Sequence, residues 1–313
     1  MKPTHHNNIL NILIFCNAMA FMLIAPSITE CQDNVIYSKN SLYHRIAVYE
    51  DYNYRNLSFG GNTRDDVSQS CIDLEDLDFH VLEYTGIIFA GLLLNSNPQS
   101  GLIIGLGGGV IPREMRRSFP NMEINVVEID PEVKRVAQDF FYFETDEKMQ
   151  VTILDGRVFV RRQAAKKPKQ SYDMIILDAF NDEYIPFHLT TMEFLQEVAK
   201  ILDPEGVLVA NLFYDNQLFD AEVKTFKKVF GRCYLFFGED STNAILLSPG
   251  SKGSDLTPDE AIERAILLQK SHNFSFDIKT VAKQFDPDFQ PLKKARILTD
   301  DHAPVNVLRQ KPR

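Results

Sequence analysis

Basic charge is scarce in this sequence: 33 lysines and arginines face 43 aspartates and glutamates, a formal charge of −10 over 313 residues. A nucleic-acid binder normally presents a basic face, so no nucleic-acid partner is expected. Cysteine is scarce too, four in all and without metal-like spacing, so no metal is assigned. Internal repeats are missing, which excludes a solenoid or a propeller. Only 15 glycines are present, yet Gly105, Gly107, Gly108 and Gly109 fall in one short stretch. That concentration marks a place where the backbone must be bare.

The longest apolar run lies at the N-terminus, from Ile9 to Ala25, preceded by Lys2, His5 and His6. It is short for a membrane-spanning helix and suits the core of a signal peptide, with Ser27-Ile28-Thr29 as the cleavage site. Residues 1–30 are read as a signal peptide or membrane anchor. The expected location is then periplasmic, secreted or membrane-attached, with a cytoplasmic protein as the alternative. Outside the cytosol, Cys31 with Cys71 is the pairing expected from proximity in sequence. Three unrelated buried thiols are an equal alternative.

Residues 31–80 read as a small antiparallel β-domain. Two or three strands fall within "VIYSKNSLYHRIAVYEDYNYRNLSF", and a polar loop, "GGNTRDDVSQS", follows. "LDFHVLEYTGIIFAGLLL" then carries apolar residues at helical spacing. From residue 101, strands and helices alternate: "GLIIG", "INVVEID", "VTILDG", "YDMIILDAF" and "GVLVANLF" are strands with helices between them. Such apolar strands with helical crossovers predict an α/β fold, a mostly parallel sheet covered on both faces. "CYLFFG" and "NAILLSPG" read as a hairpin at its edge, and residues 257–285 as two helices. Residues 81–313 are thus expected to form a Rossmann-like nucleoside-binding domain.

In such a sheet, ligands bind beyond the C-terminal strand ends. Glu128, Asp130, Asp155 and Asp178 all fall at those ends. The turn after the first strand suggests a nucleotide-like group held by backbone N–H donors. Gly105, Gly107 and Gly109 let the main chain approach it. Glu128 is placed to accept both ribose hydroxyls, and Asp155 with Gly156 to meet an adenine amino group. Asp178 sits near the reacting end, where a carboxylate can take a proton from an attacking amine or orient it. A dinucleotide fingerprint would need glycine where Val110 stands, which weakens a dehydrogenase reading. Asp182 and His188, in the loop after Asp178, are expected to serve that loop rather than catalysis.

These residues also carry a resemblance. "IGLGGGVIPREM", "VVEIDPEV", "DGRVF", "YDMIILDAF", "IPFHLTTMEF" and "LTDDHAPV" match, in order, the bacterial spermidine-synthase-like branch of the polyamine aminopropyltransferase family, from about Tyr43 to Leu308. The resemblance implies an N-terminal β-domain, a methyltransferase-like Rossmann domain and a homodimer. It implies that Glu128 binds ribose and Asp155 adenine of a sulfonium nucleoside, either decarboxylated or intact S-adenosylmethionine. It makes Asp178 the base or orienter for a putrescine-like amine, and places Tyr84 in the polyamine site. Four positions depart from the family pattern. Gly108 stands where an aspartate holds the amino end of the donor, and Gly86 where a glutamate follows the tyrosine. "DAFND" displaces the second acid of the D-S-S-D-P loop by one residue, and His44 replaces a glutamine. The nucleoside half is retained while the amine half has lost acids, each worth about 1.5–3 kcal/mol as a charge-assisted hydrogen bond.

Aminopropyl transfer in polyamine biosynthesis is the leading expectation. An S-adenosylmethionine-dependent methyltransferase is the alternative that Gly108 favours. A non-catalytic nucleoside- or polyamine-binding protein is the alternative that an export signal favours.

Overall fold

The computed structural model describes residues 34–60, 68–167, 170–180 and 186–312. The expected signal segment lies outside them, as does Asp182. Two sheets organise the described residues. The first is antiparallel, with β1 (Asn34–Asn40), β2 (Arg45–Asp51), β3 (Tyr54–Phe59) and β4 (Ser68–Asp73) side by side in that order. The expected polar loop thus contains a strand. Ser68, Gln69 and Ser70 have little intrinsic strand preference, and pairing of Cys71 with Asn56 and of Ile72 with Arg55 creates β4.

The segment expected as a long helix is shorter and tighter: α1 (Tyr84–Ile87) runs into a 3-10 turn over Ile88–Leu93. This stretch is buried all round, so packing sets its pitch. A Cβ on Gly91 would lie 2.7 Å from Val209 Cγ2 and 3.1 Å from Met174 Cε, which shows how closely it rests on the main sheet.

That sheet grows from alternating units. In chain order they are β5 (Ser100–Ile104), α2 (Val110–Ser118), β6 (Glu123–Glu128), α3 (Pro131–Phe140), β7 (Met149–Ile153), α4 (Gly156–Ala165) and β8 (Tyr172–Leu177). Then come α5 (Met192–Ile201), β9 (Leu202–Phe213), α6 (Gln217–Phe230) and the hairpin β10 (Tyr234–Phe237) and β11 (Asn243–Pro249). The chain closes with α7 (Pro258–Ser271), α8 (Ile278–Lys283), the two-residue β12 (Phe285–Asp286) and α9 (Val305–Arg309). The strand order is β12-β10-β11-β9-β8-β5-β6-β7. Strands β5 to β9 are mutually parallel, and β10, β11 and β12 add an antiparallel edge. Because β5 lies between β6 and β8, the chain winds outward in both directions from it. Ligands bind at such a reversal of strand order in open α/β sheets.

Alternate residues of these strands feed two cores. Ile103, Val126, Ile176 and Val209 face one side of the sheet, whereas Leu102, Val127, Ile175 and Leu208 face the other. Burial on both faces is why these strands read as continuous apolar runs. Ile46, Val48, Leu57 and Ile72 of the small sheet join the first core, which fixes that sheet against the larger one. Helix ends follow local chemistry: Asp130 caps α3 before Pro131, and Asp155 caps α4 by accepting the Val158 N–H. Among the described residues no helix is long and apolar enough to cross a membrane. Cys71 and Cys233 are free thiols, and the expected Cys31–Cys71 pair ends on a residue outside the described ones.

The closest backbone approach is at Gly105, with φ +105°, where a Cβ would lie 2.2 Å from the Asp178 carbonyl oxygen. Gly231, with φ +80°, has nothing within 4 Å of a built Cβ. Gly231→Ala should therefore cost only the backbone penalty, about 1–2 kcal/mol. Gly105→Ala adds a collision with main-chain atoms and should cost about 3 kcal/mol or more in urea unfolding.

Candidate functional site

The ends of four parallel strands are stitched together at one level. The Gly105 N–H donates to Val127 O at 2.9 Å, the Asp178 N–H to Ile104 O at 2.9 Å and the Leu154 N–H to Glu128 O at 2.9 Å. Glu128, Asp155 and Asp178 therefore arrive on one rim, around a cavity of about 590 Å³. Gly105, Gly107, Gly156 and Tyr84 line the same cavity, and the small sheet contributes Tyr43, His44, Phe59 and Ser70 to its roof. His44 stacks on Phe59 with ring centroids 4.5 Å apart.

Each carboxylate has a distinct setting. Glu128 is 8% exposed, and its oxygens accept the N–H groups of Leu106 at 3.0 Å and Asp130 at 2.9 Å. Burial pushes its pKa up to about 7, although those backbone donors pull the other way. Asp178 is likewise raised to about 7 by burial, with the Asn211 amide, donating to Oδ1 at 2.9 Å, as the opposing contact. The Tyr84 hydroxyl is raised by burial and, secondarily, by the charge of Asp178. Asp155 accepts the Val158 N–H through one oxygen and lies 3.0 Å from His188 Nε2 through the other. His188 thus ties its loop to Asp155 at the rim of the cavity.

Several placements differ from the sequence reading. Asp130, at a strand end like the others, does not line the cavity: it is 1% exposed and accepts the Glu132 N–H as a helix cap. Gly109 does not line it either. It holds φ +78° at the start of α2, and a Cβ there would meet Phe143 at 2.6 Å. The glycine turn also has little to offer an anion. The Gly105, Leu106, Gly108 and Gly109 N–H groups donate, in turn, to Val127 O, Glu128 Oε2, Ser70 Oγ and Leu106 O. Pro112, in the first turn of α2, has no N–H at all. Most of the turn's N–H groups are thus spent within the protein.

Two buried amides escaped the sequence reading. Asn211 of β9 is 1% exposed; it donates to Asp178 and accepts from Asn243 of β11, Nδ2 to Oδ1, at 2.9 Å. Their signal was present: a lone polar residue inside "VLVANLF" and another opening "NAILL". Glu83 escaped as well, and it ties the β10–β11 turn to α1 by accepting the N–H groups of Glu239 and Asp240.

The two positions that lack an acid differ in their surroundings. A Cβ on Gly108 would sit 2.8 Å from Phe141 Cδ1 and 2.9 Å from Ser70 Cβ, so an aspartate there would force neighbours aside. A Cβ on Gly86 would meet the Phe276 side chain at 3.6 Å, an ordinary van der Waals contact, so position 86 is not crowded in the same way.

Comparison with known proteins agrees with this geometry. The spermine/spermidine synthase domain model matches residues 83–238. The polyamine aminopropyltransferase of Vibrio vulnificus (strain CMCP6) is 35% identical over 304 residues, 96% of this chain and 99% of that protein. The eEF1A lysine and N-terminal methyltransferase of Bos taurus is 32% identical over 210 residues, 63% of this chain and 30% of that protein. Among solved structures, human methyltransferase-like protein 13 in complex with SAH superposes with a TM-score of 0.57 at 32% identity, over 60% of this chain and 91% of that one. Spermidine synthase from Thermotoga maritima reaches a TM-score of 0.63 at 24% identity, over 81% of this chain and 84% of that one, a likeness of fold. With a near full-length relative at this identity, the chain belongs to the polyamine aminopropyltransferase (spermine/spermidine synthase) family.

Proposed function

We propose that the protein is a polyamine aminopropyltransferase, moving an aminopropyl group from decarboxylated S-adenosylmethionine to an amine. The observation that carries this reading is Asp178. It is a buried carboxylate, oriented by Asn211, and it opens into the cavity that Glu128 and the glycine turn also line. The cavity's donors and acceptors suit a sulfonium nucleoside. Glu128 would take the ribose, Asp155 and Gly156 the adenine edge, and Tyr84 the wall of the amine site. Gly105, Gly107 and Gly156 line the cavity and let the chain pack closely around it: a Cβ on Gly156 would lie 2.6 Å from Ile104 Cγ2.

The sulfonium supplies a carbon whose leaving group departs as a neutral thioether, so no acid is required. The chain's own task is positioning and proton transfer. Asp178 holds the attacking nitrogen by hydrogen bonding. As the C–N bond forms and the C–S bond breaks, it receives the proton that the nitrogen sheds and releases it to solvent. The apolar walls, among them Val127, Leu154, Phe180 and Phe213, exclude water. The reading extends to a homodimer and to export or membrane attachment through residues 1–30. Light scattering and cell fractionation test these two features.

A methyltransferase reading is favoured by one feature, the bare Gly108. A carboxylated donor meets no acid there, which removes a like-charge clash. Isothermal titration with intact and decarboxylated S-adenosylmethionine separates the two. The aminopropyl reading requires that the decarboxylated form binds and is turned over, and binding of the carboxylated form alone sinks it.

Asp178→Asn should lower turnover at least about a hundredfold, the usual weight of a positioned base. Nucleoside affinity should stay within about twofold, because Asn can still accept from Asn211. Unchanged turnover would remove Asp178 from the role.

The raised acids set the pH behaviour. Both groups must be ionised to act, so kcat/KM should rise with pH and level off above about 7. Stability should move oppositely. The ordinary values are 4.5 for Glu128 and 3.8 for Asp178, and the folded values are about 7. The folded state then binds more protons between those limits, so its extra stability is complete below about 4 and is lost as pH rises to about 7. Urea midpoints at pH 4.5 and 8 check the sign, and Asp178→Asn should narrow the difference.

A further inference from the structure

The aminopropyl-transfer reading, on which this inference rests, leaves the acceptor unexplained. A diamine brings two ammonium groups, and the reacting one belongs at Asp178. The other needs an anion. Position 86 cannot supply it, since it is a glycine backed by the Phe276 ring.

Besides the acids already assigned, two carboxylates line the cavity among the described residues, Glu83 and Asp240. Glu83 is fully engaged. Its Oε1 accepts the Glu239 N–H at 2.8 Å and the Gln284 amide at 2.7 Å, and its Oε2 accepts the Asp240 N–H at 3.0 Å. A carboxylate holding three donors has little left for a ligand cation. Asp240 is the opposite case. It stands in the turn between β10 and β11, it is exposed, and its carboxylate bonds to no described residue. Its backbone is nevertheless fixed. Glu83 holds its N–H, and the Gly238 N–H donates to Asn243 O at 3.0 Å. A Cβ on Gly238 would lie 2.4 Å from Ser241 Oγ and 2.7 Å from Glu83 Oε2, so glycine keeps the turn close to α1. The same turn ends in Asn243, which braces Asn211 and through it Asp178. One hairpin therefore sets both ends of the amine path.

We propose that Asp240 determines specificity for a diamine acceptor, taking the non-reacting ammonium at the mouth of the cavity while the reacting amine lies at Asp178. Glu83 is a positioning residue that holds the turn carrying Asp240. The anion that the family pattern places on α1 has moved across the cavity to the edge hairpin.

The test uses the full chain saturated with 5′-methylthioadenosine, the thioether product, titrated with 1,4-diaminobutane and separately with butylamine. The wild-type complex should prefer the diamine. Asp240→Asn, at an exposed position that leaves folding intact, should weaken the diamine about five- to tenfold, to near the butylamine value, and leave butylamine unchanged. In turnover the same variant should raise KM for the diamine with little change in kcat. The diamine preference should also shrink as salt is added, because the carboxylate is exposed. Equal weakening of both amines, or an unchanged diamine affinity, overturns the assignment of Asp240 while aminopropyl transfer stands. A wild-type complex that binds neither amine overturns both.

Discussion

The site depends on how closely the ends of β5 and β8 approach one another. The Asp178 N–H reaches Ile104 O at 2.9 Å only because Gly105 offers no Cβ to the Asp178 carbonyl. The same bare residue donates to Val127 O, and Leu154 repeats the pattern one strand further out. Three acids from three strands are thereby held at one depth. Their shared rim follows from backbone hydrogen bonding, not from attraction between the side chains, which repel one another when ionised.

Burial then gives each acid its character. Glu128 and Asp178 lie against apolar walls, and desolvation raises both to about 7. Glu128 is steadied by two backbone donors, Asp178 by a single side-chain amide. The Asn211–Asn243 pair carries the orientation of Asp178 outward to the hairpin, and Glu83 fixes the far side of the same hairpin. The C-terminal "LTDDHAPV" segment works in parallel on the Asp155 side of the cavity. Asp300 accepts two hydrogen bonds from Arg157 at 2.7 Å each, and Arg157 also donates to the carbonyl of His188. A motif distant in sequence thus supports the loop that reaches Asp155.

Much of the fold was legible in the chain. The parallel strands announced themselves as apolar runs because both faces are covered, and residues 257–285 read as two helices, seen as α7 and α8. Strand β4 was hidden because Ser68, Gln69 and Ser70 have weak preferences and pair only when β3 is beside them. The segment before β5 resembled a long helix because it is apolar, and only its contact with Val209 and Met174 tightens it into a 3-10 turn.

The sequence by itself determined the α/β alternation, the positions of Glu128, Asp155 and Asp178 at strand ends, and the absence of acids at positions 86 and 108. Those features are local, written in periodicity and residue type. Tertiary structure alone decided that the glycine turn spends most of its own N–H donors within the protein, and that Phe141 and Ser70 crowd position 108. It also decided that Asn243 and Asp240, far along the chain, face the same cavity as Tyr84. The physical reason is that hydrogen-bond partners and free volume belong to pairs of distant segments, and no single stretch of sequence carries them.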